Sequence, residues 1–184
     1  MLDEILVKQC SPTLAGLKTA NLFPVPCDCG KKLRDDIREF NRKFAAKGLR
    51  MLPLRYQKNG SVLLYVYRPD RLRRDLEDVQ AHELLCECGY PCEGPERCIV
   101  KLVQRLRKNE EFPHEIGLFL GYPPEDVRGF IENKAEHYKC VGTWKVYGDA
   151  DKAQAEFCRF KNCTKAYCRH WACGNPLDRL VVAG

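Results

Sequence analysis

The pair Asn59-Gly60 constrains this chain more tightly than any other two residues. A two-residue type I′ hairpin turn needs positive φ at both of its positions, and Asn followed by Gly tolerates that best. Runs rich in aliphatic and aromatic residues lie on either side, so antiparallel strands are expected over 50–58 and 61–68. Such a turn sets Leu54 opposite Tyr65, Tyr56 opposite Leu63 and Leu52 opposite Tyr67, one continuous aromatic-aliphatic face. With arginines beside it, that face is either core or a platform for single-stranded nucleic acid. Burial of Tyr65 and Tyr67 separates the two.

Helices are expected to cover the hairpin. Leu33, Ile37, Phe40 and Phe44 recur at helical spacing, and Gly48 stops that run. Ser11-Pro12 has the form of an N-cap followed by proline at the first helical position, which predicts a short helix near 13–20. Asp78 opens a helix carrying Ala81, Leu84, Leu85 and Cys88, with Gly89 as its stop, and Ile99, Leu102, Val103 and Leu106 mark the next.

Residues 112–149 read as helix, turn at Gly121, helix from Pro124, then a strand over 140–147. Gly117, Gly121 and Val127 match helix-turn-helix spacing. The positions that would read DNA are Pro123, Pro124, Glu125 and Asp126, where the prolines offer no donor and phosphates repel the carboxylates, so the segment is expected to be a corner closing a core. Asp149 begins a helix with Ala150, Ala153, Phe157 and Phe160 inward. Further strands are expected over 163–171 and, after the turn Gly174-Asn175-Pro176, over 177–183. The fold class that follows is α+β: an antiparallel or mixed sheet, made of the hairpin 50–68 and the C-terminal strands, covered by helices. A single domain over 1–184 is expected.

No apolar run approaches the roughly 20 residues of a membrane span, and the first residues include acidic side chains where a secretory signal would carry basic ones. The expected location is cytoplasmic, with no membrane partner. In that compartment the twelve cysteines cannot serve as a disulfide scaffold, which leaves metal binding, redox chemistry or packing.

Cysteines recur at every fifth position from Cys158 through Cys163, Cys168 and Cys173, a spacing that fits neither a helix face nor a strand face. Cys140, Cys163 and Cys168, completed by Cys10 or His170, form a thiolate set suited to zinc or an iron-sulfur cluster. Cys88 and Cys92 have zinc-knuckle spacing, with Cys86 and Cys98 able to complete them. Cys27 and Cys29 precede the helix of Leu33, whose N-terminus lowers a nearby thiol pKa, so that they are candidate reactive thiols; for Cys29 a metal ligand and an inert thiol stand as alternatives.

Residues 31–74 hold 14 basic and 4 acidic side chains, so Arg38, Arg42, Lys43, Arg71, Arg73 and Arg74 could serve an anionic ligand or nucleic acid. Gly16-Leu17-Lys18-Thr19 lacks the residues of a phosphate loop, and His114-Glu115 has no nucleophile fixed beside it, so no catalytic residue is assigned. The residues favour a cysteine-rich thiolate module, metal-binding or redox-associated, whose partner would be a redox protein. The alternatives are a polyanion binder and a structural domain with every cysteine in the core.

In this order along the chain, SPTLAGLKTANLF, LLYVYRP, FPHEIGLFLGYPPEDVRGFI, CVGTWKVYGD and KNCTKAYC resemble domain-of-unknown-function family 3793 of anaerobic bacteria. The likeness spans nearly the whole chain. It implies a small single-domain bacterial protein and brings no catalytic residue with it. It favours cysteines at the positions of Cys10, Cys140, Cys163 and Cys168 over Cys27, Cys29, Cys86, Cys88 and Cys173.

Overall fold

A computed structural model describes residues 2–91, 94–108 and 111–184. Cys92, and with it the Cys88-Cys92 spacing, lies outside them. The contacts divide the chain into two compact units, 1–70 with 160–184 and 71–159. Helices packed with small antiparallel sheets make the fold α+β.

In the first unit, α1 (Leu2–Leu14) leads into β1 (Ala20–Pro26), α2 (Gly30–Phe44), a 3₁₀ turn (Ala45–Lys47), β2 (Arg50–Tyr56) and β3 (Ser61–Tyr67). The sheet order is β1-β3-β2, antiparallel throughout. Val62, Leu64 and Val66 of β3 join Leu6, Val7, Phe23, Ile37, Phe40 and Met51 in one core. That core is the apolar stripe of α2 laid against one sheet face.

The helix expected near 13–20 does not form: α1 ends at Leu14, residues 15–19 turn, and β1 begins at Ala20. Ser11 and Pro12 belong to the last turn of α1, where the Ser11 hydroxyl donates to the Val7 carbonyl. Gly16, at φ +73°, ends that helix: its N–H donates to Thr13 O at 3.1 Å and the Leu17 N–H to Pro12 O at 2.8 Å, the paired bonds of a Schellman stop. Pro24 and Pro26 are exposed on an edge strand. Cys27 N–H donates to Gly60 O at 2.9 Å, so the alternate prolines lack only amides that would face the open edge.

The hairpin forms, with a different turn and register. Only Gly60 of the pair has positive φ, and its N–H donates to Gln57 O at 3.2 Å, so the loop is one residue wider than a type I′ turn. A bulge at Leu54 then shifts the register again, giving Arg55 opposite Leu63 but Leu52 opposite Tyr65 and Arg50 opposite Tyr67. Two one-residue shifts restore the side-chain parity, so Leu52 and Tyr65 still share a face. Tyr56, expected on the apolar face, is 55% exposed.

Arg68, 2% exposed, follows β3. It donates to the carbonyls of Thr13 (2.7 Å), Leu14 (2.8 Å), Lys47 (3.2 Å) and Val182 (2.7 Å), tying the end of α1 to the C-terminal segment.

The second unit contains most of α3 (Pro69–Glu77), then α4 (Val79–Glu87), α5 (Pro95–Lys108), α6 (Ile116–Phe119), α7 (Pro124–Glu132) and a two-stranded hairpin of β4 (Cys140–Val141) and β5 (Lys145–Val146). The corner at Gly121 forms as expected, and a Cβ on Gly117 would lie 2.8 Å from Val127 Cγ2, so the helices meet at a glycine. Asp126 is buried. Its carboxylate accepts Trp144 Nε1 at 2.7 Å and the amides of Tyr147 and Gly148, both at 2.8 Å, fastening the hairpin to α7.

The strand expected over 163–171 is helical instead, and over 177–183 only Leu177–Leu180 is regular, as a short helix. α8 (Ala150–Ala172) runs through the whole cysteine series, and α9 (Leu177–Leu180) follows. Between Ala150 and Ala172 the only β-branched residue is Thr164, and five alanines favour helix.

Candidate thiol site

Cys27 and Cys29 stand where β1 gives way to α2. The Cys27 amide makes the hydrogen bond to Gly60, and Leu33 N–H donates to Cys29 O at 3.1 Å, opening the helix. Cys29 is therefore the N-cap, extended at φ −138° and ψ 106°. A thiol here occupies the place usually taken by a Ser, Thr, Asp or Asn oxygen.

The sulfur completes no side-chain capping hydrogen bond of good geometry. The amide of Lys32, then that of Lys31, nevertheless lowers the thiol's pKa, with smaller help from the charges of Arg34 and Lys32. The two observations agree physically: a large sulfur sits too loosely for a short directional bond, yet still feels the positive helix end.

Both cysteines line a cleft of about 460 Å³ between the first turns of α1, the end of β1 and α2. Val25, Leu33, Phe40, Phe44 and Leu177 form apolar wall, while Asp28, Asp36, Lys32 and Lys43 supply polar rim. Cys27 is half-buried and packs against the core, whereas Cys29 is exposed. The arrangement places an exposed thiol of lowered pKa at the mouth of an amphipathic groove, with a second thiol two residues away.

The other thiols are distributed differently. Cys10 is fully buried in the core of the first unit, where burial raises its pKa well above the ordinary thiol value. Cys140 is half-buried in β4. Cys163 and Cys168 flank the inward stripe of α8, and five residues of helix separate them by about 140°. His170 lies seven residues beyond Cys163, about 10 Å along the axis. Among the described residues, no three of His, Cys, Asp and Glu form a group that could hold a metal ion.

Of the basic residues, Arg38, Arg42 and Lys43 lie on α2, and Arg71, Arg73 and Arg74 on α3. Arg38 pairs with Asp35 at 3.3 Å, Lys43 with Asp178 at 2.9 Å and Arg73 with Glu96 at 3.4 Å, which reduces the field they present. Tyr65 is 1% exposed and stacks with the half-buried Tyr67 at 4.8 Å, so Tyr65 is covered and closed to base stacking.

Nor is His114-Glu115 an open acid-base pair. Glu115, 5% exposed, accepts from Tyr90 Oη at 2.9 Å and Arg105 Nη1 at 2.6 Å, and the His114 ring meets Phe130 edge-on at 5.2 Å. A pair the sequence reading missed is His82 and Cys86, one helical turn apart on α4, with Sγ 3.8 Å from Nδ1. The signal was the His-x3-Cys spacing inside an expected helix.

Fold and cleft together define a helix-rich α+β protein with a thiol held at a helix N-terminus. No helix among the described residues is long and apolar enough to cross a membrane. The chain belongs to the family described as Protein of unknown function (DUF3793), which matches residues 6–181, as the five stretches resembling it implied. No curated protein and no solved structure matches the chain.

Proposed function

We propose that this protein is a thiol-disulfide exchange module in which Cys29 is the attacking thiol and Cys27 resolves the product. The observation that carries the reading is the place of Cys29, the N-cap of α2 at the mouth of the cleft, where first-turn amides lower its pKa. A lowered pKa raises the fraction of thiolate, the species that attacks sulfur.

The Cys29 thiolate attacks one sulfur of an incoming disulfide, forming a mixed disulfide and expelling the other sulfur as thiolate. Cys27, after losing its proton to solvent, attacks the Cys29 sulfur and releases the remaining thiolate. The protein is left with a Cys27–Cys29 disulfide, and the substrate is reduced by two electrons. An external dithiol returns the protein to its starting state. The groove's apolar wall and charged rim suit a peptide segment carrying the disulfide.

Anaerobic protein reacted with an aromatic disulfide, followed by mapping of the modified cysteine, tests this. Cys29 should react fastest, with its rate levelling off at lower pH than for an ordinary thiol, because the thiolate forms earlier. Cys27→Ser should trap the mixed disulfide on Cys29. A fast phase that survives in Cys29→Ser would end the proposal.

A further inference from the structure

On α4, Ala81, Leu84 and Leu85 are buried, which turns His82 and Cys86 away from the core. His82 is exposed and Cys86 half-buried. The helix that carries them is well anchored: Asp78 caps it by accepting from Gln80 N at 3.0 Å and Ala81 N at 3.2 Å. Residues four apart on such a helix lie one above the other, so the two side chains meet without any loop to position them.

The Cys86 sulfur lies 3.8 Å from Nδ1 of His82 and 4.0 Å from Nε2. Bond lengths of about 2.3 Å from zinc to sulfur and about 2.0 Å to nitrogen, opened to a tetrahedral angle, place the two donors about 3.5 Å apart. The pair is therefore within a few tenths of an ångström of chelating distance. The near-equal distances to the two ring nitrogens put the sulfur off either lone-pair direction, so chelation requires the imidazole to turn about its soft χ2 torsion. Glu83 and Glu87 are exposed on the same helix; Glu87 is paired with Arg128 at 3.0 and 3.2 Å, which leaves Glu83 beside His82 to favour a cation.

We propose that His82 and Cys86 are the two protein ligands of a surface site for a thiophilic divalent metal ion of the zinc class. Binding exchanges the thiol proton for the metal, giving a metal thiolate and one released proton. Thiolate with imidazole selects such an ion over magnesium or calcium, which demand oxygen donors. Two protein ligands leave the remaining positions to water or to an incoming donor, which separates this site from a closed structural one. It shares no residue with the Cys27–Cys29 cleft.

Zinc chloride titrated anaerobically into the full chain, followed through histidine ring resonances, provides the test. The chain has four histidines, and His82→Gln identifies the resonance of His82. Zinc should shift the His82 signal, the shift should be lost in Cys86→Ser, and it should persist in Cys27→Ser and Cys29→Ser. Zinc should also protect Cys86 from alkylation in the unsubstituted protein and not in His82→Gln, a solvent-facing change that decides the matter even if Cys86→Ser fails to fold. A His82 signal unmoved by excess zinc, an undiminished shift in folded Cys86→Ser, or protection that survives in His82→Gln would each overturn the site.

Discussion

Asp126 shows how much one side chain can organise. Sequence reading placed it in the first turn of α7 and took its charge as a reason against DNA binding. In the fold it is 3% exposed and accepts three hydrogen bonds from the β4–β5 hairpin, including the Trp144 indole. Replacing a buried acceptor leaves its donors without partners at a cost greater than the bonds' own net strength. Asp126→Asn keeps the shape but offers one carbonyl oxygen in place of two carboxylate oxygens, and should lower stability by about 2–4 kcal/mol in urea unfolding. Loss below about 0.5 kcal/mol, the usual range of an uninvolved surface change, would show that water replaces the carboxylate there. Arg68 poses the same lesson with opposite charge: residue type told of a basic region, but only burial told of a clamp on main-chain carbonyls.

Among the elements, helix ends were the most legible. Gly48, Gly89 and Gly121, expected as stops, each take positive φ and donate back into the final turn, and Gly16 and Gly174 do the same. Gly129 is a different case, since it lies inside α7, where alanine is ordinarily better by about 1 kcal/mol. The Tyr147 side chain occupies the space its Cβ would need, with Tyr147 Cγ and Cβ the nearest atoms. Overpacking costs about 1–3 kcal/mol, so Gly129→Ala should come out net destabilised and melt at lower temperature. A higher melting temperature would show that the ring swings away freely. Helix α8 departs furthest from the expected elements. Its stripe of Ala153, Phe157, Phe160, Thr164, Tyr167 and Trp171 runs at spacings of four and three through the stretch expected as a strand, and the cysteines at every fifth position lie outside that stripe. β1 was missed because a strand with two prolines is permitted only at an edge, and edges belong to the assembled sheet.

At the scale of the whole molecule, stability should carry the signature of Lys18. It is 5% exposed, and burial lowers its pKa from the usual 10.5 to about 8, an effect the nearby Cys10 partly opposes. Below pH 8 the amine is protonated in both folded and unfolded chains, and the fold bears the cost of a buried charge. Between pH 8 and 10.5 the unfolded chain binds more proton than the folded one, so this group's contribution to stability rises with pH. Relative to Lys18→Met, the natural chain should gain about 3 kcal/mol from pH 7 to 10.5, measured as the difference between two urea titrations at each pH. A difference flat in pH would mean that Lys18 reaches water. What the linear chain determined by itself was local: helix stripes, glycine stops, a hairpin near Asn59-Gly60 and the placing of Cys29 before a helix, all set by interactions within a few residues. What only the tertiary structure decided was which thiols share a space, which charges are paired and whether Tyr65 sees solvent. Those depend on contacts between segments far apart in sequence, and no spacing along a single strand or helix encodes the distance between them.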